Sequence, residues 1–221
     1  MKFINLSKRA SIIKLPELCT PNLQRLYTAS CENLMEVHEA VGSLDNLKSW
    51  DLMGCKNLQV LPISFRLKSL KYFSLHGCIC LEKLPDLCTA NLEELVIGGC
   101  ENLMDVLEAI ESLDWLNINE SHILMNPDCF RSLMYLTLVG SNIVTIPRSI
   151  SRFTRLRGLY ISHCKKLREI SRLPQSIRSV DAIDCMSLDL SSSCRLLNQA
   201  SSLSLSLSLS LSIYIYIYKF K

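Results

Sequence analysis

The sequence predicts an α/β fold: a leucine-rich repeat solenoid, wound as a curved right-handed superhelix. A parallel sheet lines its concave face, and short helical or irregular segments cover its convex face. Three observations carry this expectation. The pattern L-x-x-L-x-L-x-x-C recurs along the chain, with starts 20 to 24 residues apart from Leu23 to Ile177. Its centre alternates apolar and polar residues, the period of a half-buried strand. Residues 15–47 recur as residues 84–116, offset by 69 without gaps, with 20 identities in 33 positions. Copying a block of three turns produces such an offset and keeps a stack in register.

About nine turns follow one another. The first is partial, with Ile4 and Leu6 as its inward pair. In the next four, Leu26 and Thr28, Trp50 and Leu52, Phe73 and Leu75, and Leu95 and Ile97 hold the inward positions. Turn six carries Leu116 and Ile118, and turn seven Leu136 and Leu138. Turns eight and nine carry Leu159 and Ile161, then Val180 and Ala182. Each turn returns the chain in the same sense, so the strands are expected to be parallel. One turn cannot bury enough apolar surface to offset the entropy of ordering its own backbone. Stacking on neighbours supplies the rest, which is why the pattern repeats.

Three residues after the second inward position the chain bends out of the strand. Six turns place cysteine there (Cys31, Cys55, Cys78, Cys100, Cys164 and Cys185) and two place serine (Ser121 and Ser141). A small side chain with a weak S–H donor can turn inward at such a bend and meet neighbouring carbonyls. These cysteines lie 21 or more residues apart without a C-x-x-C, so the reading is a structural ladder and not a metal centre.

The repeat domain is expected over residues 1–190. Residues 191–221 form a tail outside the repeat, in which 203–212 read LSLSLSLSLS and 213–218 read IYIYIY. Back-to-back dinucleotide repeats in DNA encode such runs. The tail is therefore expected to be disordered or an artefact of the gene model, although strict alternation also suits an edge strand.

Lys and Arg number 24 and Asp and Glu 21, a net charge of +3. That balance speaks against nucleic acid and anionic membrane as partners. Met1 to Leu15 carries Lys2, Lys8, Arg9 and Lys14 without an apolar core, so no secretory leader is expected. The 11 cysteines are read as reduced thiols in the cytoplasm or the nucleus. The four histidines show no catalytic or metal spacing, and no G-x-S-x-G is present. Neither catalysis nor a cofactor is expected.

Side chains between the leucines point out from the concave sheet. The outward candidates for protein contact are Tyr27, Asp51, Tyr72, His76, Glu94, Trp115, Asn117, Tyr135, Thr137 and Tyr160. Tyr72, Trp115 and Tyr135 share one column, with Glu94 between the first two. Aromatic side chains on a rigid sheet are good contact anchors. The competing expectation is that large side chains merely cover neighbouring sheet. Arg152, Arg155, Arg157, Lys165, Lys166 and Arg168 make turn eight basic, a solvated face or a dock for an acidic partner domain.

The segments LMGCKNLQVLP, LHGCICLEKLP and ISHCKKLREI resemble the leucine-rich repeats of plant intracellular disease-resistance receptors. So does the opening MKFINLSKRASIIKLPEL. The segment LPQSIRSVDAIDCMSLDL resembles the final turn of such receptors that carry a Toll/interleukin-1-receptor domain and a nucleotide-binding domain. The resemblance covers about residues 1–190, and cysteine for asparagine in the ladder, combined with L-x-x-L-P, is its specific mark. It implies a protein–protein interaction module in defence signalling. The implied partner is a pathogen effector, a guarded host protein or the nucleotide-binding domain of a receptor. Nucleotide binding and NAD cleavage are not carried over, because G-x-x-x-x-G-K-[ST] is absent from these residues, and so is the jelly-roll segment that follows the last turn in such receptors. Two alternatives stand beside this reading: a non-functional truncated paralogue or partial gene model, and a fragment of an extracellular repeat receptor.

Overall fold

The computed structural model describes residues 1–63, 65–85, 91–103, 130–146 and 148–202, and residues 206–208; of 197–202 and 206–208 it describes the backbone alone. In chain order the strands are β1 (Phe3–Asn5), β2 (Lys14–Leu15), β3 (Arg25–Tyr27), β4 (Glu36–Val37), β5 (Ser49–Asp51), β6 (Tyr72–Ser74) and β7 (Glu94–Val96). They continue with β8 (Tyr135–Thr137), β9 (Thr145–Ile146), β10 (Gly158–Tyr160), β11 (Glu169–Ile170), β12 (Ser179–Asp181) and β13 (Ser206–Ser208). The main sheet has nine strands in the order β1-β3-β5-β6-β7-β8-β10-β12-β13. Its described pairings are parallel, as one-way winding requires. Two short parallel pairs, β2 with β4 and β9 with β11, lie on the connections. The solenoid expected from the repeat is the structure observed, with little helix. Apart from the tail, the described helical segments are two 3-10 turns, Glu39–Ser43 and Arg148–Arg152.

Register puts the central inward residues in one file. Leu26 pairs with Trp50, Trp50 with Phe73, Phe73 with Leu95, Leu95 with Leu136, Leu136 with Leu159 and Leu159 with Val180. All are buried. Alternation alone achieves this, because a one-residue slip in any strand would turn its apolar residues to solvent. The file is widest in the first half. There Trp50 stacks on Phe65 at 5.8 Å between centroids, and both lie close to Phe73, at 5.4 and 5.3 Å.

The strands of turns five and seven are direct neighbours, although the repeat count sets turn six between them. Strand β7 of turn five pairs directly with β8 of turn seven, Glu94 opposite Tyr135 and Val96 opposite Thr137. Glu93 O accepts from Met134 N (2.8 Å) and Tyr135 N (3.0 Å), and Ile97 N donates to Thr137 O (2.9 Å). A strand between them would have to break these bonds. Turn six itself lies outside the described residues.

The chain leaves each strand through a left-handed residue just before the ladder position. These are Ser30, Gly54, Gly77, Gly99, Gly140, His163 and Asp184, with φ between 57° and 73°. Only glycine adopts this conformation without strain. The Gly-Cys and Gly-Ser dipeptides at 54–55, 77–78, 99–100 and 140–141 were its legible signal.

Part of the segment read as a non-repeat tail has regular structure. Residues Leu190–Ser202 form a helix. Asp189 caps it: its Oδ1 accepts from Ser192 N at 2.6 Å, and these bonds to Ser192 hold its carboxyl below the ordinary value. Ser192 Oγ accepts from Ile170 N at 2.9 Å, and Leu196 is buried against the core. The helix therefore covers the last turn's apolar end. Beyond it, β13 adds a ninth strand beside β12. The D-x-x-S cap in Asp189–Ser192 was the missed cue.

Candidate protein-binding face

The outward columns of the sheet carry most of the candidate residues. Strand pairing sets Arg25, Ser49, Tyr72, Glu94, Tyr135, Gly158 and Ser179 side by side. The second column runs Tyr27, Asp51, Ser74, Val96, Thr137, Tyr160 and Asp181. Tyr27, Asp51, Tyr72, His76, Glu94, Tyr135, Thr137 and Tyr160 are all half-buried. Trp115 and Asn117 lie outside the described residues. Within the first column Tyr72, Glu94 and Tyr135 sit on three adjacent strands. Glu94 thus stands between the two tyrosines, where the sequence placed it between Tyr72 and Trp115.

Several of these side chains also serve the sheet. A Cβ on Gly158 would come within 2.8 Å of Tyr135 Cδ1 and 3.0 Å of Tyr160 Cε2. Both rings therefore rest on the bare backbone of Gly158, so part of each covers sheet. His76 rests in the same way on Gly98 of the turn that follows its own: its Nδ1 lies 3.0 Å from where a Cβ on Gly98 would be. Tyr27 meets Phe3 edge-on at 5.4 Å. Asp51 Oδ1 accepts from Met53 N at 2.9 Å, closing an Asx turn at the strand end. Asp181 closes another, accepting from Ile183 N (3.3 Å) and from Ser162 Oγ (2.5 Å). The two glycines were not singled out in the sequence, although they make room for the aromatic residues.

Glu94 differs from these acids. No hydrogen bond or ion pair engages its carboxylate among the described residues, and burial raises its pKa. Burial also raises the Tyr72 hydroxyl, helped by the charges of Asp51 and Glu94.

Behind the sheet the cysteines form a file of S–H donors. Cys31 Sγ reaches Leu6 O (3.1 Å), Cys55 reaches Thr28 O (3.1 Å), Cys78 reaches Leu52 O (3.3 Å) and Cys100 reaches Leu75 O (3.0 Å). Cys164 reaches Leu138 O and Cys185 reaches Ile161 O, both at 3.1 Å. Each donates to the turn before it. Burial pushes up the thiols of Cys55, Cys78, Cys100, Cys164 and Cys185, to about 12 for Cys55 and about 11 for Cys100 and Cys185. Protonated, enclosed thiols are poor nucleophiles and poor metal ligands. Among the described residues no three His, Cys, Asp or Glu side chains cluster as ligands would. No described helix is long and apolar enough to cross a membrane.

Residues 94–191 match the family model for the leucine-rich repeats of RPS4B-like disease resistance proteins. The chain is 26% identical to disease resistance protein RPS4B of Arabidopsis thaliana over 85% of its own length and 18% of that protein's. It is 29% identical to TMV resistance protein N of Nicotiana glutinosa over 90% of its own length and 16% of that protein's. The chain thus spans less than a fifth of either relative. A chain in the crystal structure of a TLR13–ssRNA13 complex shares the fold, with a TM-score of 0.50 and 20% identity over 79% of this chain and 24% of that one. The winding, the ladder and these matches make the chain a leucine-rich repeat solenoid whose turns are similar to those of plant disease-resistance proteins.

Proposed function

We propose that the chain is the protein-interaction module of a plant immune receptor, acting in the cytoplasm or the nucleus. Its concave face recognises a pathogen effector or a guarded host protein, or contacts the receptor's own nucleotide-binding domain. One observation carries the reading: repeats of resistance-protein type present an unbroken parallel sheet whose outward columns hold half-buried tyrosines. Large, rigid, amphipathic side chains of this kind give contact area at small entropic cost. The nine described cysteines are free thiols, a state that a reducing compartment preserves.

Co-precipitation from leaf cells, with candidate effectors co-expressed, tests the proposal. A Tyr72→Ala/Tyr135→Ala double variant should lose the protein that the unaltered chain retains. Retention of every captured protein by the double variant, with the fold intact by circular dichroism, would move the binding surface off the concave face.

A further inference from the structure

The middle of the concave sheet has an acid without a partner among the described residues. Tyr72, Glu94 and Tyr135 occupy three adjacent strands in register, so neighbouring side chains start about 4.8 Å apart. Of the acids in the outward columns, Asp51 and Asp181 are committed to backbone N–H groups at their own strand ends. Glu94 is committed to nothing among the described residues, yet it is half-buried. Among the described strands, the one cation in those columns is Arg25, three strands away from Glu94, at about 14 Å by strand spacing. Carboxylates held out of full solvent without a counter-charge are costly, and a ligand that supplies the charge recovers that cost.

Resting on the reading of the concave face as a protein-binding surface, we propose that Tyr72, Glu94 and Tyr135 form a subsite for one arginine side chain of the partner protein. The guanidinium forks onto the Glu94 carboxylate with paired N–H donors. Its plane lies against the ring of Tyr72 or of Tyr135. Arginine suits this place better than lysine, because its charge is planar, weakly hydrated and geometrically matched to both an aromatic face and a carboxylate. Gly158 belongs to the same arrangement, since it lets the Tyr135 ring lie low against its backbone.

The test is selection of a phage-displayed random dodecapeptide library on the immobilised full chain and on its Glu94→Gln variant. Peptides from the unaltered chain should be enriched in arginine, and that enrichment should vanish on Glu94→Gln. Replacing the arginine of a selected peptide by citrulline, neutral and of the same shape, should weaken binding at least about tenfold on the unaltered chain. It should change little on Glu94→Gln. Arginine-free peptides that are nonetheless lost on Tyr72→Ala/Tyr135→Ala overturn the arginine subsite and leave the concave surface standing. Peptides indifferent to all these substitutions overturn both. Circular dichroism of Glu94→Gln, which replaces an oxygen by an amide of equal size, separates lost recognition from lost fold.

Discussion

The stack from β3 to β7 and the stack from β8 to β12 are built from one repeat, yet the seam between them differs from the described junctions within each stack. In the first stack Cys55, Cys78 and Cys100 each donate back to the preceding turn. In the second, Cys164 and Cys185 do the same. At the seam the ladder residue is Ser141, and its hydroxyl turns to Leu138 O of its own turn at 2.5 Å. A hydroxyl bonds at a shorter distance than a thiol and lacks the larger sulfur's reach. A second series breaks at the same place. Left-handed residues donate their N–H to the next turn: Ser30 to Met53, Gly54 to His76, Gly77 to Gly98, Gly140 to Ser162 and His163 to Ile183. No such bond joins Gly99 to Val139. Among the described residues the seam is held by strand pairing, by Asn142 Nδ2 donating to Glu101 O at 3.0 Å, and by the close approach of Gly98 to the Val139 backbone, where a Cβ would collide. In a linear array each junction contributes its own coupling. The two stacks should therefore be more loosely coupled to each other than turns are within a stack.

The largest expected effect probes that coupling. Phe73→Ala opens the aromatic cluster of the first stack and should cost about 3–5 kcal/mol. If the seam is weak, hydrogen exchange will show β5, β6 and β7 losing protection while β10 and β12 keep theirs. Equal loss on both sides would mean that the seam couples as tightly as any other junction.

A smaller effect separates the two kinds of ladder residue. Cys78→Ala leaves Leu52 O without its S–H donor and should cost about 1–3 kcal/mol in urea unfolding. Ser141→Ala should cost less than about 1 kcal/mol, because Leu138 O keeps the Cys164 thiol. A serine variant as costly as the cysteine variant would show that Ser141 holds the seam after all.

The smallest effect concerns alkaline pH. The folded pKa values of Cys55 and Cys100 lie above the ordinary 9.0, at about 12 and about 11, and that of Cys78 is also raised. Between pH 9 and 12 the unfolded chain therefore holds fewer protons than the folded one, and stability falls as pH rises. The contribution is complete below pH 9 and is lost on passing through the folded values. The urea midpoint should drop between pH 8 and 10.5, and a Cys55→Ser/Cys78→Ser/Cys100→Ser variant should drop less. Equal drops would assign the alkaline loss to tyrosines and lysines instead.

The proposed face divides the same way between what pattern reveals and what pairing reveals. Leu26, Trp50 and Phe73 were legible as inward residues because a strand's period is two and one face must be dry. Tyr72 and Glu94 were legible as outward residues by the same alternation. That Glu94 neighbours Tyr135 was not, because turn counting inserts turn six between them. The resting of Tyr135 on Gly158 was also hidden, since a glycine 23 residues along the chain carries no local mark of the ring above it.

By itself, then, the sequence determined the solenoid, its parallel sheet and the inward and outward columns, because these follow from local periodicity repeated at a constant spacing. Only the tertiary structure decided which strands meet, where the cross-turn bonds lapse, that the tail begins with a capped helix, and which acid of the concave face has no partner among the described residues. Those depend on hydrogen bonds between residues some 20 to 40 positions apart, such as Cys78 with Leu52 and Tyr135 with Glu93. No window of sequence contains both partners.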